Sequence, residues 1–99
     1  MSALRRSEVL ETLGRCKADL AARYGITSLG VFGSVARDEA DEKSDVDVVY
    51  ETNTPNLFRT VRMKLELEAI LHRRVDVVRW RDRINPRLKA RIAREVVYV

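Results

Sequence analysis

Asp45 and Asp47 stand two apart in Ser44-Asp45-Val46-Asp47, and a third aspartate, Asp76, lies in the apolar run Val75-Asp76-Val77-Val78. Side chains two apart on a strand share a face. If this stretch is a strand, the first two carboxylates lie side by side, roughly 7 Å apart at Cα. Like charges that close raise one another's pKa, and a divalent cation removes the conflict. Oxygen-only donors favour Mg²⁺ or Mn²⁺. Asp76, costly to ionise in an apolar strand unless paired, joins the same cluster if its strand lies beside the first. Three carboxylates on neighbouring strands can hold two metal ions about 3.5–4 Å apart, one acting on an attacking hydroxyl and the other on a leaving pyrophosphate.

Upstream, Gly33-Ser34-Val35-Ala36-Arg37 supplies a phosphate seat. Gly33 permits a positive φ or close backbone approach. The helical turn after it aims free N–H groups back at the loop. Ser34 adds a hydroxyl donor, and Arg37 can neutralise a phosphate or pair with the acidic loop that follows. Asp-x-Asp alone is usually a solvent-facing strand edge, and Gly-Ser alone is usually a turn. Their combination at this spacing, with a later strand aspartate, is the stronger signal. No Walker lysine follows Gly33, and no window carries the EF-hand pattern.

These residues need a scaffold of strands and helices. Ser7 reads as the N-cap of a first helix with Leu10, Leu13, Leu20 and Tyr24 on its inner stripe, closed by Gly25. Strands follow over Thr27–Phe32, Asp45–Glu51 and Val75–Arg79. Thr54-Pro55 reads as the start of a helix whose Leu57, Phe58, Val61, Leu65 and Ala69 supply core at helical spacing, ending near His72. Asn85-Pro86 opens a last helix carrying Leu88 and Ile92, and Val96–Val99 reads as a final extended segment. The expected fold class is α/β (α+β): a small mixed sheet of three to four strands with helices packed mainly on one face.

Ninety-nine residues make one domain, here 1–99, with a single core. No apolar run approaches the roughly 20 residues of a membrane span, and Met1–Arg6 lacks a signal-peptide h-region. The lone Cys16 forms no internal disulfide, so the expected location is the cytoplasm. The net charge of +4 is uneven. Residues 38–47 carry six acids and one lysine, whereas 73–94 carry nine basic residues and two acids. The basic stretch is either a solvated face or a docking surface for nucleotide, RNA or an acidic partner. With only Trp80 among its aromatics, it is no stacking platform for a single strand.

The two motifs resemble the signature of the DNA polymerase beta-like nucleotidyltransferase superfamily, over nearly the whole chain. The resemblance extends to its minimal members and, among them, to the MntA-type antitoxins of HEPN/MNT toxin–antitoxin pairs. The resemblance implies the nucleotidyltransferase fold, ATP with Mg²⁺ (two ions, Mn²⁺ as an alternative), and transfer of AMP with release of pyrophosphate. The acceptor would be a tyrosine hydroxyl of a partner HEPN RNase toxin, which the modification silences, within a homo- or hetero-oligomer. By match, Gly33, Ser34, Arg37 and Ser44 would meet the nucleotide. Asp45, Asp47 and Asp76 would ligate metal, with Asp76 helping to deprotonate the acceptor. One departure is Asp38, where the signature has the glycine that ends the short helical turn.

Two other functions stand beside this one. A non-catalytic antitoxin would act by binding and occlusion. A small-molecule nucleotidyltransferase would need a second surface from a partner or a dimer. His72 reads as a cation at a helix C-terminus. Cys16 reads as a small core residue, and Tyr24, Tyr50 and Tyr98 as core or rim.

Overall fold

The computed structural model describes residues 5–99; of the N-terminal hexapeptide read above, the first four residues lie outside them. The order is α1 (Arg6–Tyr24), β1 (Ile26–Phe32), α2 (Gly33–Ala36), β2 (Val46–Thr52), α3 (Leu57–Leu71), β3 (Val75–Arg79), α4 (Pro86–Glu95) and β4 (Val97–Tyr98). The four strands form one mixed sheet in the order β3-β2-β1-β4. β1 runs antiparallel to β2 and β4, while β2 and β3 are parallel. A parallel pair needs a crossover, and α3 is that crossover.

The period of two divides the central strands between two cores. Leu29, Val31, Val46, Val48 and Tyr50 face a large cluster with Val9, Leu13 and Leu20 of α1 and Met63 and Leu67 of α3. Phe32 and Val49 face the other way, onto Ile92 of α4, with Val78, Trp80, Ile84 and Leu88 around them. Thus the two long helices share one face and α4 lies on the other. Among the described residues no helix is long and apolar enough to cross a membrane.

Gly25 closes α1 in the left-handed region (φ 69°), as its type requires. Asn85 caps α4 by accepting from the N–H groups of Arg87 and Leu88, with Pro86 at the first helical position. Three expectations are corrected. α1 begins at Arg6, with no side-chain cap of its own, so Ser7 is inside the first turn. Thr54-Pro55 does not open α3: Thr54 N–H donates to Thr52 Oγ1 (3.1 Å), which itself donates to Gly25 O (2.8 Å). That tie to the start of β1 holds Thr54 in a turn, and Asn56 caps the helix instead, accepting from Arg59 N–H at 3.1 Å. Finally, the core of α3 is Met63 and Leu67, whereas Leu57, Phe58, Val61 and Leu65 are exposed.

Candidate functional site

The site lies at the ends of β1, β2 and β3 on the face covered by α4. Register does the positioning: Phe32 pairs with Asp47, and Asp47 with Asp76. Paired residues present their side chains to the same face. Asp45, two before Asp47, lies just ahead of β2 rather than in it. Asp76 is exposed on β3, not buried as its apolar neighbours imply, because β3 is an edge strand. Asp47 is half-buried, and burial pushes its carboxyl above the ordinary range. Asp76 adds to that rise, Arg91 opposes it, and Asp45 and Glu95 contribute smaller increments.

Gly33 reaches Asp47 as no other residue could. Its φ is 75°, and a Cβ there would overlap the Asp47 carboxylate, with Cγ 3.0 Å away. The backbone of the phosphate turn and the first strand carboxylate are thus in van der Waals contact. A cleft of about 420 Å³ beside them is lined by Phe32, Asp47, Asp76, Val78, Val61, Lys64 and Arg91. A larger neighbour, about 570 Å³, is lined by Leu57, Thr60, Arg79, Arg81, Arg83 and Leu88.

Two residues of α4 missed in the sequence complete the site. Glu95, its side chain only 14% exposed, accepts from Gly33 N–H at 3.1 Å and from Arg37 Nη1 at 2.7 and 2.9 Å. Arg91 stands 3.8 Å from Asp47 Oδ2 and 3.5 Å from Glu95. The available signal was their spacing: i, i+4 on a helix opened by Asn85-Pro86, on either side of the inward-facing Ile92.

Other residues are engaged elsewhere. Arg37 is held by Glu95 and by Glu39 (3.3 Å), so it braces the turn against α4 and the acidic loop. The Ser44 hydroxyl donates to Asp41 Oδ1 (3.1 Å) and accepts from Asp41 N–H (3.0 Å), closing that loop. With Lys43 N–H it holds the Asp41 carboxyl below its ordinary range. Ser34 is partly exposed at the turn. Asp38 occupies the left-handed region (φ 58°), where the motif's glycine would sit, and its Oδ1 accepts Arg6 N–H at 3.0 Å. Its charge therefore caps α1, the helix that lacks a local cap.

The donor set suits a hard divalent cation: oxygen only, with Asp47 and Asp76 in register and Asp47 already unfavourable as an isolated anion. Among the described residues no three acidic, histidine or cysteine side chains converge on one point as they stand. Asp76 is exposed and Asp45 partly so.

Residues 13–99 match the Nucleotidyltransferase domain family. The chain belongs to that family. This nucleotidyltransferase is 37% identical to protein adenylyltransferase MntA of Thermococcus cleftensis over the full length of both chains. A solved structure assigned as a minimal nucleotidyltransferase superposes with a TM-score of 0.77 at 38% identity, covering 98% of each chain. A complex of tri-AMPylated Shewanella oneidensis HEPN toxin with MNT antitoxin shares the fold, with a TM-score of 0.69 at 15% identity over 94% of this chain and 70% of that one. The nucleotidyltransferase fold expected from the motifs is therefore the observed one.

Proposed function

We propose that this nucleotidyltransferase moves AMP from ATP to a tyrosine hydroxyl of a HEPN-type toxin and thereby silences it. The observation that carries the reading is the meeting of the Gly33 turn with Asp47 and Asp76 on one sheet face, in a chain alike end to end to a protein adenylyltransferase. In the reaction the acceptor oxygen bonds to the α-phosphorus, the bond to the β-phosphate's bridging oxygen breaks, and pyrophosphate leaves.

Asp45, Asp47 and Asp76 would hold Mg²⁺, which when bound supplies charge neutralisation for the triphosphate and acidifies the acceptor hydroxyl. Asp76, the exposed carboxylate at the sheet edge, is the one an incoming hydroxyl can reach, and it accepts the proton. Gly33 lets the triphosphate approach the backbone, and the Ser34 hydroxyl donates to it. Arg37, pulled onto Glu95, fixes the turn and acts on the nucleotide only through it; Ser44 likewise shapes the loop leading into Asp45. Residues 1–99 act as one domain, in the cytoplasm where ATP is supplied.

The test is transfer of labelled AMP to the purified toxin with Mg²⁺, followed by mapping of the modified residue. Label on a tyrosine with the wild-type chain, abolished by chelation and by Asp45→Ala or Asp47→Ala, is the expected result. A toxin neutralised equally well by those variants would instead make binding alone the function.

A further inference from the structure

α3 is apolar on two sides. Met63 and Leu67 face the core, and a helix needs no second apolar stripe to be held there. Yet Leu57, Phe58, Val61 and Leu65, at i, i+1, i+4 and i+8, make one, at 75%, 81%, 46% and 58% exposure. Ala69 and His72, also exposed, continue it. Scattered apolar side chains on a surface are ordinary, whereas a contiguous stripe marks a contact. From Leu57 to Leu65 the stripe is roughly 12 Å long at 1.5 Å per residue, the span of two turns of a facing helix.

Two observations say what fits it. First, the stripe is continuous with the candidate active site: Val61 and Lys64 form one wall of the cleft that holds Asp47 and Asp76. Leu57 lines the adjoining cleft with Arg79, Arg81 and Arg83. Second, its surroundings are basic. Arg62 and Lys64 flank the stripe on the helix, while the acids of the helix are engaged elsewhere, Glu66 by Arg23 and Tyr24 and Glu68 by Val75 N–H. A second copy docked on the same stripe would bring these cations against their own kind, whereas an acidic rim would be attracted.

We propose that the Leu57-Phe58-Val61-Leu65 stripe is the docking surface for the acceptor protein, taken up by an amphipathic helix with an acidic rim. Docking there sets the acceptor hydroxyl at the mouth of the Asp47–Asp76 cleft. The proposal rests on the protein-modifying reading above and names the surface that reading requires.

The test compares wild type with Phe58→Ser/Leu65→Ser and with Arg62→Glu, using the purified HEPN-type toxin as probe. Toxin affinity is measured by calorimetry, and transfer kinetics with the toxin as varied substrate. All three proteins should fold alike, because none of these side chains is in the core, and should bind MgATP alike. The double variant should raise KM for the toxin about 30-fold or more, the scale of losing an interface hot spot, with kcat at saturating toxin little changed. Arg62→Glu should slow association and weaken its salt dependence. Unchanged toxin affinity and KM in the double variant overturn the proposal. A wild-type dimer in light scattering that the double variant dissociates also overturns it, by making a second copy the occupant. Toxin bound by wild type but not by the double variant, with no label transferred, supports the docking surface and overturns the chemistry instead.

Discussion

At the scale of single residues, the site depends on what Gly33 lacks. Gly33→Ala would force a left-handed φ on a residue with a side chain and drive its methyl into Asp47. Transfer should fall at least as far as in Asp47→Ala, about 100-fold or more, the loss expected when a main source of transition-state electrostatics goes; single-turnover labelling measures it. Asp38 gives a contrasting case. Its left-handed backbone costs roughly 1–3 kcal/mol, and its bond to Arg6 N–H returns part of that. Asp38→Gly removes both and should change unfolding free energy by less than about 1 kcal/mol. Asp38→Ala keeps the strain and loses the cap, so it should destabilise by about 1–2 kcal/mol in denaturant titration. The motif's glycine and this aspartate are two ways to end the same turn, and in this chain the aspartate also starts α1. The turn and the Asp45–Asp47 pair were legible in the sequence because their types and spacing are local, whereas Asp76 joins them only through the pairing of β3 with β2. Arg91 and Glu95 were not, since only tertiary folding brings α4 over Gly33.

Among elements, α3 separates pattern from burial. Its apolar residues occupy two stripes, and periodicity alone cannot say which one meets the sheet. The pair that meets the sheet is Met63 and Leu67, while the more conspicuous Leu57, Phe58, Val61 and Leu65 stay exposed. Leu67→Ala should therefore cost about 2–5 kcal/mol by leaving a core cavity, whereas Leu65→Ala should cost little; thermal or chemical unfolding distinguishes them. α3 is also fastened to α1 by polar contacts. Glu66 accepts from Tyr24 Oη at 2.6 Å and pairs with Arg23, which is also bonded to Asp19. Bonds from Arg23 and Tyr24 hold the Glu66 carboxyl below its ordinary value of 4.5. A depressed carboxyl stabilises the fold above its unfolded pKa, and that stabilisation is lost as pH falls through the folded one. Glu66→Gln should thus lower Tm at pH 7, with the difference shrinking toward nothing as pH falls well below 4.5. Scanning calorimetry across that range checks the sign.

On the scale of the whole molecule, the mixed sheet class followed from counting elements, but the strand order β3-β2-β1-β4 and the two-sided covering did not. α4 reads as one more amphipathic helix, and only the alternation of Phe32 and Val49 against Leu29 and Val48 sends it to the opposite face. β4 closes the sheet over Gly30, where a Cβ would come within 2.8 Å of Val96 Cγ2 and 3.0 Å of Tyr98 Cδ1. Gly30→Val should displace β4 and, through Val96, the end of α4 that carries Glu95. The expected outcome is a loss of transfer larger than its loss of stability, seen by comparing labelling with unfolding midpoints.

The parallel pairing of β2 with β3 has one more consequence. It makes α3 a covalent bridge between the strand of Asp47 and the strand of Asp76. Outward substitutions on that bridge leave both strands and the core beneath unaltered. Partner choice, if it resides in the proposed α3 stripe, is thereby written on the connection between the two carboxylate-bearing strands and not on the strands themselves.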